Sequence, residues 1–180
     1  MPRFYTGAGD SGYTGVIGGP RLKKSDKLIE AIGAVDELNS AIGVALAHSD
    51  DAGLNERLKA LQNELFIVGA ELASAGTTKK PAKSIRAEDV KAIEDSIEDL
   101  SSALPELKNF VLPGGTQVAA HLHAARSIAR RAERAVVGAS DERRLSKELL
   151  GFMNRVSSLL FVAALYANRK HGTMEDRPTY

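Results

Sequence analysis

From Ser25 onward the apolar residues recur at alternating steps of four and three. One set is Leu28, Ile32, Val35, Ile42 and Leu46, with Asn39 interrupting it, and the next is Leu54, Leu58, Leu61, Leu65, Val68 and Leu72. A third, Val90, Ile93, Ile97, Leu100 and Leu104, is followed by Val118, Leu122, Ala125, Ala129, Ala132 and Val136. The last runs Leu145, Leu149, Phe152, Val156, Leu159, Ala163 and Tyr166. Such steps put each set on one stripe of a helix, whereas a strand would need a period of two, which appears nowhere. The pattern predicts five amphipathic helices. Turn-forming segments separate them: HSDDAG at 48–53, AGTTKKPAKS at 75–84, PELKNFVLPGG at 105–115 and VGASDE at 137–142. Short connections favour antiparallel neighbours, so the expected fold is all-α, a five-helix bundle. The Ala-rich fourth stripe suits a closely packed neighbour, from the same chain or from another subunit. One domain is expected over 1–180: an arm at 1–24, the bundle at 25–170 and a loose tail at 171–180 without a stripe.

Composition narrows the class. The chain has 180 residues, no Cys and a net charge of +1. Without Cys there are no disulfides, thiolate metal sites or cysteine nucleophiles, which fits a reducing cytosol. No apolar run is expected to span a bilayer and the N-terminus has no targeting pattern, so the expected location is the cytoplasm, with no membrane partner. Near-neutral charge gives no global pull toward nucleic acid. Any affinity for anions must come from a local cluster.

Two segments offer that chemistry. GAGDSG at 7–12 spells the G-x-G-x-x-G of a dinucleotide-binding turn, but that reading needs a strand before it and a helix starting within it. YTGVIGGPR follows instead, with three more glycines and a proline. What remains is a glycine-rich arm whose exposed N–H groups, with Thr6, Thr14 and Asp10, suit a polyphosphate; a frayed terminus is the other reading. The second segment is ARSIARRAER at 125–134, where Arg126, Arg130 and Arg134 form a row on one helix face and Glu133 lies three residues from Arg130. Four arginines and no lysine favour bidentate recognition of phosphate or carboxylate. A solvated face satisfied by acids of a neighbouring helix is the alternative.

On the first helix Asn39 occupies a stripe position, where an amide either fixes packing register or lines a cleft. Asp36 is a candidate partner for one of the arginines. No protein metal site is expected: His121 and His123 point in different directions, and all four histidines are read as structural or surface residues. No Ser/His/Asp set is recognisable, so an enzyme here would draw its nucleophile from a substrate or cofactor.

TGAGDSGYTG (6–15), GAVDELNSAIG (33–43), FVLPGGT (110–116), RRAER (130–134) and FMNRVSSLLF (152–161) resemble, in order, the motifs of the PduO-type ATP:cob(I)alamin adenosyltransferases. The resemblance implies a five-helix bundle forming a homotrimer with active sites between subunits. It further implies transfer of the 5′-deoxyadenosyl group of ATP to cobalt, with triphosphate released. Co(I) is the nucleophile in that family, so no protein nucleophile is called for.

By the same resemblance, Thr6, Gly7, Gly9, Thr14, Gly15 and Lys24 wrap the ATP phosphates. Arg130 and Arg134 carry phosphate charge with Mg²⁺ as co-ion, while Glu133 and Asn154 hold the nucleotide. Phe110 lies beneath the corrin of cobalamin and excludes the lower axial ligand, leaving four-coordinate cobalt that is easier to reduce. Asp36 and Arg126 form a salt bridge between subunits. A corrinoid reductase and an adenosylcobalamin-dependent enzyme are the implied partners. The chain departs from the family pattern at Ala8 and Ser11 of the arm, and at Ser158, where Asp is frequent. A nucleotide-binding sensor or delivery partner of a cobalamin enzyme, with little turnover, is the alternative function, and a purely structural trimer a third.

Overall fold

A computed structural model describes residues 4–179. Five helices carry the chain: α1 (Lys27–Ala47), α2 (Ala52–Ala73), α3 (Ala87–Ser102), α4 (Gln117–Ser140) and α5 (Lys147–Lys170). Each begins where a side chain satisfies the free N–H groups of a first turn. Asp26 accepts from Leu28 N–H and Asp51 from Leu54 N–H, both at 2.9 Å. Thr116 and Ser146 do the same for Ala119 and Leu149, at 3.3 and 3.1 Å. At α3 the carboxylate of Asp89 reaches back to the Arg86 N–H at 2.8 Å.

The helices run alternately up and down, packed in the spatial order α2-α1-α4-α5-α3. Lys27 meets Glu142 at 2.9 Å while the His48 and His121 rings stack at the opposite end, which sets α1 and α4 antiparallel. Most of the predicted stripes join one core, with Ile42, Leu58, Leu65, Leu122 and Phe152 fully buried; Leu38 and Leu160, outside the stripes, are as deeply buried, while Ile32, Leu46, Val90 and Ile97 are only partly so. Burying each such side chain contributes about 1.5–3 kcal/mol against the entropy of ordering the chain. Of the two readings of Asn39, register prevails: its Nδ2 donates to Gln62 O at 3.3 Å and Gln62 Nε2 donates to Asn39 O at 3.1 Å, clamping α1 to α2.

Three features add to the expected picture. The arm contains a small antiparallel hairpin, β1 (Tyr13–Thr14) with β2 (Leu22–Lys23), although no period of two announced it. Two residues per strand are too few for alternation to register. Second, α5 is, by length and composition, long and apolar enough to cross a membrane. Its Phe152, Met153, Val156, Leu160 and Ala164 are buried in the bundle, so it is apolar on two sides because α3 and α4 both pack on it. Third, the segment after α5 lacks regular structure yet is tied down: Thr173 N–H donates to Asn168 O at 2.9 Å, and Leu112 N–H donates to Asp176 O at 2.8 Å.

Candidate active site

α4 and α5 pack side by side, and the 103–116 connection folds over them. The result is a cleft of about 550 Å³ with three walls. Phe110, Val111 and Pro113 come from the loop; His123, Arg126 and Arg130 from α4; Ser157, Ser158 and Phe161 from α5. Phe110 is 80% exposed, an aromatic ring presented to the cleft rather than stored in the core. Three of the four residues expected to be catalytic, Phe110, Arg126 and Arg130, thus meet in one place. The fourth, Asp36, lies exposed on α1 and is not part of this lining.

The cleft is electropositive, since its lining holds two guanidinium groups and no carboxylate. Arg126 Nε is buried without a hydrogen-bond partner among the described residues. Beside it sits His123, 3% exposed, with neither ring nitrogen hydrogen-bonded and its ring tilted against Phe161 at 6.1 Å. Burial, and then the neighbouring Arg126, hold the imidazole below its ordinary pKa, with Glu175 pulling weakly the other way. His123 is therefore neutral at physiological pH. It was missed as a cleft residue because it was weighed against His121; measured against the arginines, its spacing of three to Arg126 and seven to Arg130 puts it on their face.

Toward the other end of α4 the arginine row leaves the cleft. Glu133 accepts a 2.7 Å hydrogen bond from Asn154 Nδ2, joining the two residues expected to hold the nucleotide. Asn154 Oδ1 accepts in turn from Arg155 at 2.6 Å, and Arg155 Nε donates to Glu94 at 2.9 Å. Arg130 and Arg134 are exposed and form no ion pair among the described residues. On α1 the neighbouring acid Glu37 pairs with Arg131, which lies beside the row rather than in it, while Asp36 is exposed. Successive helix residues are turned by about 100°, so neighbouring acids face different partners.

The arm is folded rather than extended. Arg21, which the sequence reading passed over, donates to the carbonyls of Ala8 and Tyr13, the latter at 2.7 Å. Thr6 Oγ1 accepts from Ala8 N–H at 3.3 Å, and Lys24 N–H donates to Gly12 O at 2.9 Å. The Lys24 ammonium passes over Gly9, where a Cβ would stand 3.2 Å from Nζ. Gly9 and Lys24 are thereby brought together, with Gly7 in the left-handed region at φ +70°. Thr14 sits in the hairpin and Gly15 follows it, exposed. Ile17 N–H donates to Ala73 O at 2.8 Å and anchors the arm on the end of α2. Among the described residues no hydrogen bond joins the arm to Arg130, Glu133, Arg134 or Asn154.

Comparison with known proteins bears on this geometry. The family model described as cobalamin adenosyltransferase matches residues 4–167. A corrinoid adenosyltransferase of Bacillus subtilis is 40% identical over 174 residues, 94% of this chain and 89% of that protein. The human corrinoid adenosyltransferase MMAB is 36% identical over 181 residues, 97% of this chain and 72% of that one. Among solved structures, a variant PduO-type ATP:corrinoid adenosyltransferase from Lactobacillus reuteri, complexed with cobalamin and ATP, superposes with a TM-score of 0.92. It is 35% identical, with 99% of this chain and 100% of that one covered. A match over nearly the whole bundle, at these identities and with the cleft residues in their expected order, makes the chain a member of the cobalamin adenosyltransferase family.

Proposed function

We propose that the protein is an ATP:cob(I)alamin adenosyltransferase. The observation that carries this reading is the convergence of Phe110, Arg126 and Arg130 on one cleft, with the arginine row running on to Arg134 and the Glu133–Asn154 pair. A corrinoid fits the apolar, electropositive end and a triphosphate the exposed arginine end. Arg130 stands where they meet. The solved relative that holds both cobalamin and ATP supports the same pair of substrates here.

In the reaction, Co(I) attacks C5′ of the ribose: a Co–C bond forms, the C5′–O bond breaks, and triphosphate leaves with the electron pair. No protein base or nucleophile is needed. The chain's work is to hold the reactants in line and to stabilise charge developing on the leaving oxygen. Arg130 and Arg134 supply that charge, with Thr6, Gly7, Gly9, Thr14, Gly15 and Lys24 wrapping the phosphates. Phe110 occupies the lower face of the corrin, excluding its axial ligand and easing reduction to Co(I). Arg126, whose Nε has no partner among the described residues, is met by Asp36 of a neighbouring subunit.

The buried Arg126 Nε, unpartnered among the described residues, supports a homotrimer in which one subunit's arm completes the next subunit's site. Phe66 on α2, 70% exposed, and Val44 and Val137 on α1 and α4 supply apolar surface for such contacts. Mg²⁺ is proposed as co-ion of the triphosphate. Its ligands would be the phosphate oxygens and water. A corrinoid reductase supplies the electron for Co(II), and an adenosylcobalamin-dependent enzyme takes the product.

Protein, ATP, Mg²⁺ and chemically reduced cobalamin, mixed anaerobically, are expected to give the spectrum of adenosylcobalamin. No product would overturn the enzyme reading, and retained ATP binding would then favour a sensor or delivery role. Light scattering is expected to return three times the chain's mass.

A further inference from the structure

The three walls of the cleft meet at one buried side chain that touches neither substrate end. Asn168, near the end of α5, is 0% exposed. Its Oδ1 accepts from the Thr116 N–H at 2.9 Å and from the Thr116 hydroxyl at 3.1 Å. Its Nδ2 donates to Gly114 O at 3.0 Å and to the Glu175 carboxylate at 3.2 Å. These are all four bonds an amide can make, in a place where an unmade one is costly. Its own carbonyl accepts from Thr173 N–H at 2.9 Å, turning the tail back toward the loop.

Each bond holds a different part of the cleft. Thr116 is the N-cap of α4, so the two hydrogen bonds it donates to Oδ1 fix the start of the helix that carries His123, Arg126 and Arg130. Gly114 belongs to the loop that presents Phe110, four residues earlier. Glu175 brings in the tail, whose Asp176 carbonyl accepts from Leu112 N–H at 2.8 Å, two residues from Phe110. Gly115 lies directly against the amide: it has φ +100°, and a Cβ there would fall 2.2 Å from Asn168 Oδ1. The loop cannot shift toward α5 and is held from shifting away. Phe110 itself is 80% exposed, so its own packing does little to hold it in place.

We propose that Asn168 is a positioning residue of the corrinoid cleft: one amide that registers the Phe110 loop and the first turn of α4 against α5, and thereby places the Phe110 ring under the corrin. The proposal rests on the adenosyltransferase reading above. It assigns to α5 and the tail a part in cobalt reduction that neither touches directly.

The test uses the full-length protein as Asn168→Ala and as Asn168→Asp. The aspartate is isosteric and keeps the Thr116 bonds, but loses both donated bonds. Amide hydrogen exchange is read first, without substrates. Exchange at 110–114 is expected to quicken in both variants, and at the first turn of α4 in Asn168→Ala alone. Adenosylation is then followed from Co(II) reduced in situ and from preformed Co(I). The rate from Co(II) is expected to fall about 10-fold further than the rate from Co(I), the lower end of the range for removing a supporting polar contact and within the loss expected on removing the ring itself. Equal losses in both assays, or unchanged exchange at 110–114, would overturn the proposal. Should Asn168→Ala fail to fold, Asn168→Asp decides it on the same two readouts. A wild-type protein that makes no adenosylcobalamin overturns the enzyme reading instead, while the exchange comparison still judges whether Asn168 places the loop.

Discussion

Replacing Phe110 by Ala separates what this ring does for the fold from what it does for the reaction. Burying a large apolar side chain fully contributes about 1.5–3 kcal/mol, and with 80% of Phe110 exposed only about 0.3–0.6 kcal/mol of that stabilises the chain. For a domain of this size the loss corresponds to about 1–2 °C in Tm. The remaining four-fifths is available to a corrinoid, about 1.2–2.4 kcal/mol, or about 8- to 60-fold in rate or affinity. Thermal unfolding followed by circular dichroism measures the first quantity. Adenosylation measures the second, started once from Co(II) reduced in the mixture and once from preformed Co(I). The Co(II) assay is expected to carry most of the loss, because excluding an axial ligand matters only while cobalt is being reduced. A fall in Tm of about 8 °C, equivalent to ~2 kcal/mol or more, would make Phe110 a core residue. Equal losses in the two assays would refute its role in reduction.

Arg130→Ala is expected to lower turnover by about 10²–10³-fold, the usual cost of removing one donor to developing charge, with the helix content and Tm of the parent; an active variant would show the phosphate charge is carried elsewhere. Asp36→Ala and Arg126→Ala should each weaken cobalamin binding, and the double variant no more than either alone; simple additivity in equilibrium binding would dissolve the proposed inter-subunit pair. For His123 the sign follows from its lowered pKa: the folded state binds fewer protons than the unfolded one, so the stability is fully present above the ordinary value of about 6.5 and is lost as pH falls below it. Tm measured from pH 7 to pH 5 should decline, and His123→Leu should flatten that decline; an unchanged slope would place the sensitivity elsewhere.

The helices were legible because burying one face of a bundle writes a period of three and four into the chain, and the buried positions on α1, α2 and α4 follow those stripes. The arginine row was legible for the same reason, being a regular step on one of those helices. The Glu37–Arg131 pair beside that row was not, since which acid of α1 meets an arginine of the same chain depends on the rotation of α1 against α4, which the stripe does not specify. His123 carried a spacing signal to Arg126 and Arg130 that went unused. Asn168 carried none: a lone amide near a helix end says nothing about a loop more than fifty residues earlier, and only the close approach of Gly115 reveals the contact. The hairpin in the arm and the tied-back tail are likewise made of bonds between distant residues, which local patterns do not encode.

The central claim is that this chain joins carbon to cobalt at the expense of an intact triphosphate. In a single turnover with excess enzyme, preformed Co(I) corrinoid and ATP under anaerobic conditions, adenosylcobalamin and triphosphate are counted together, the first from its absorbance and the second by phosphorus NMR. They are expected to appear at one rate and in a one-to-one ratio. ADP with orthophosphate in place of triphosphate, or ATP bound and unconsumed beside unaltered corrinoid, would contradict it.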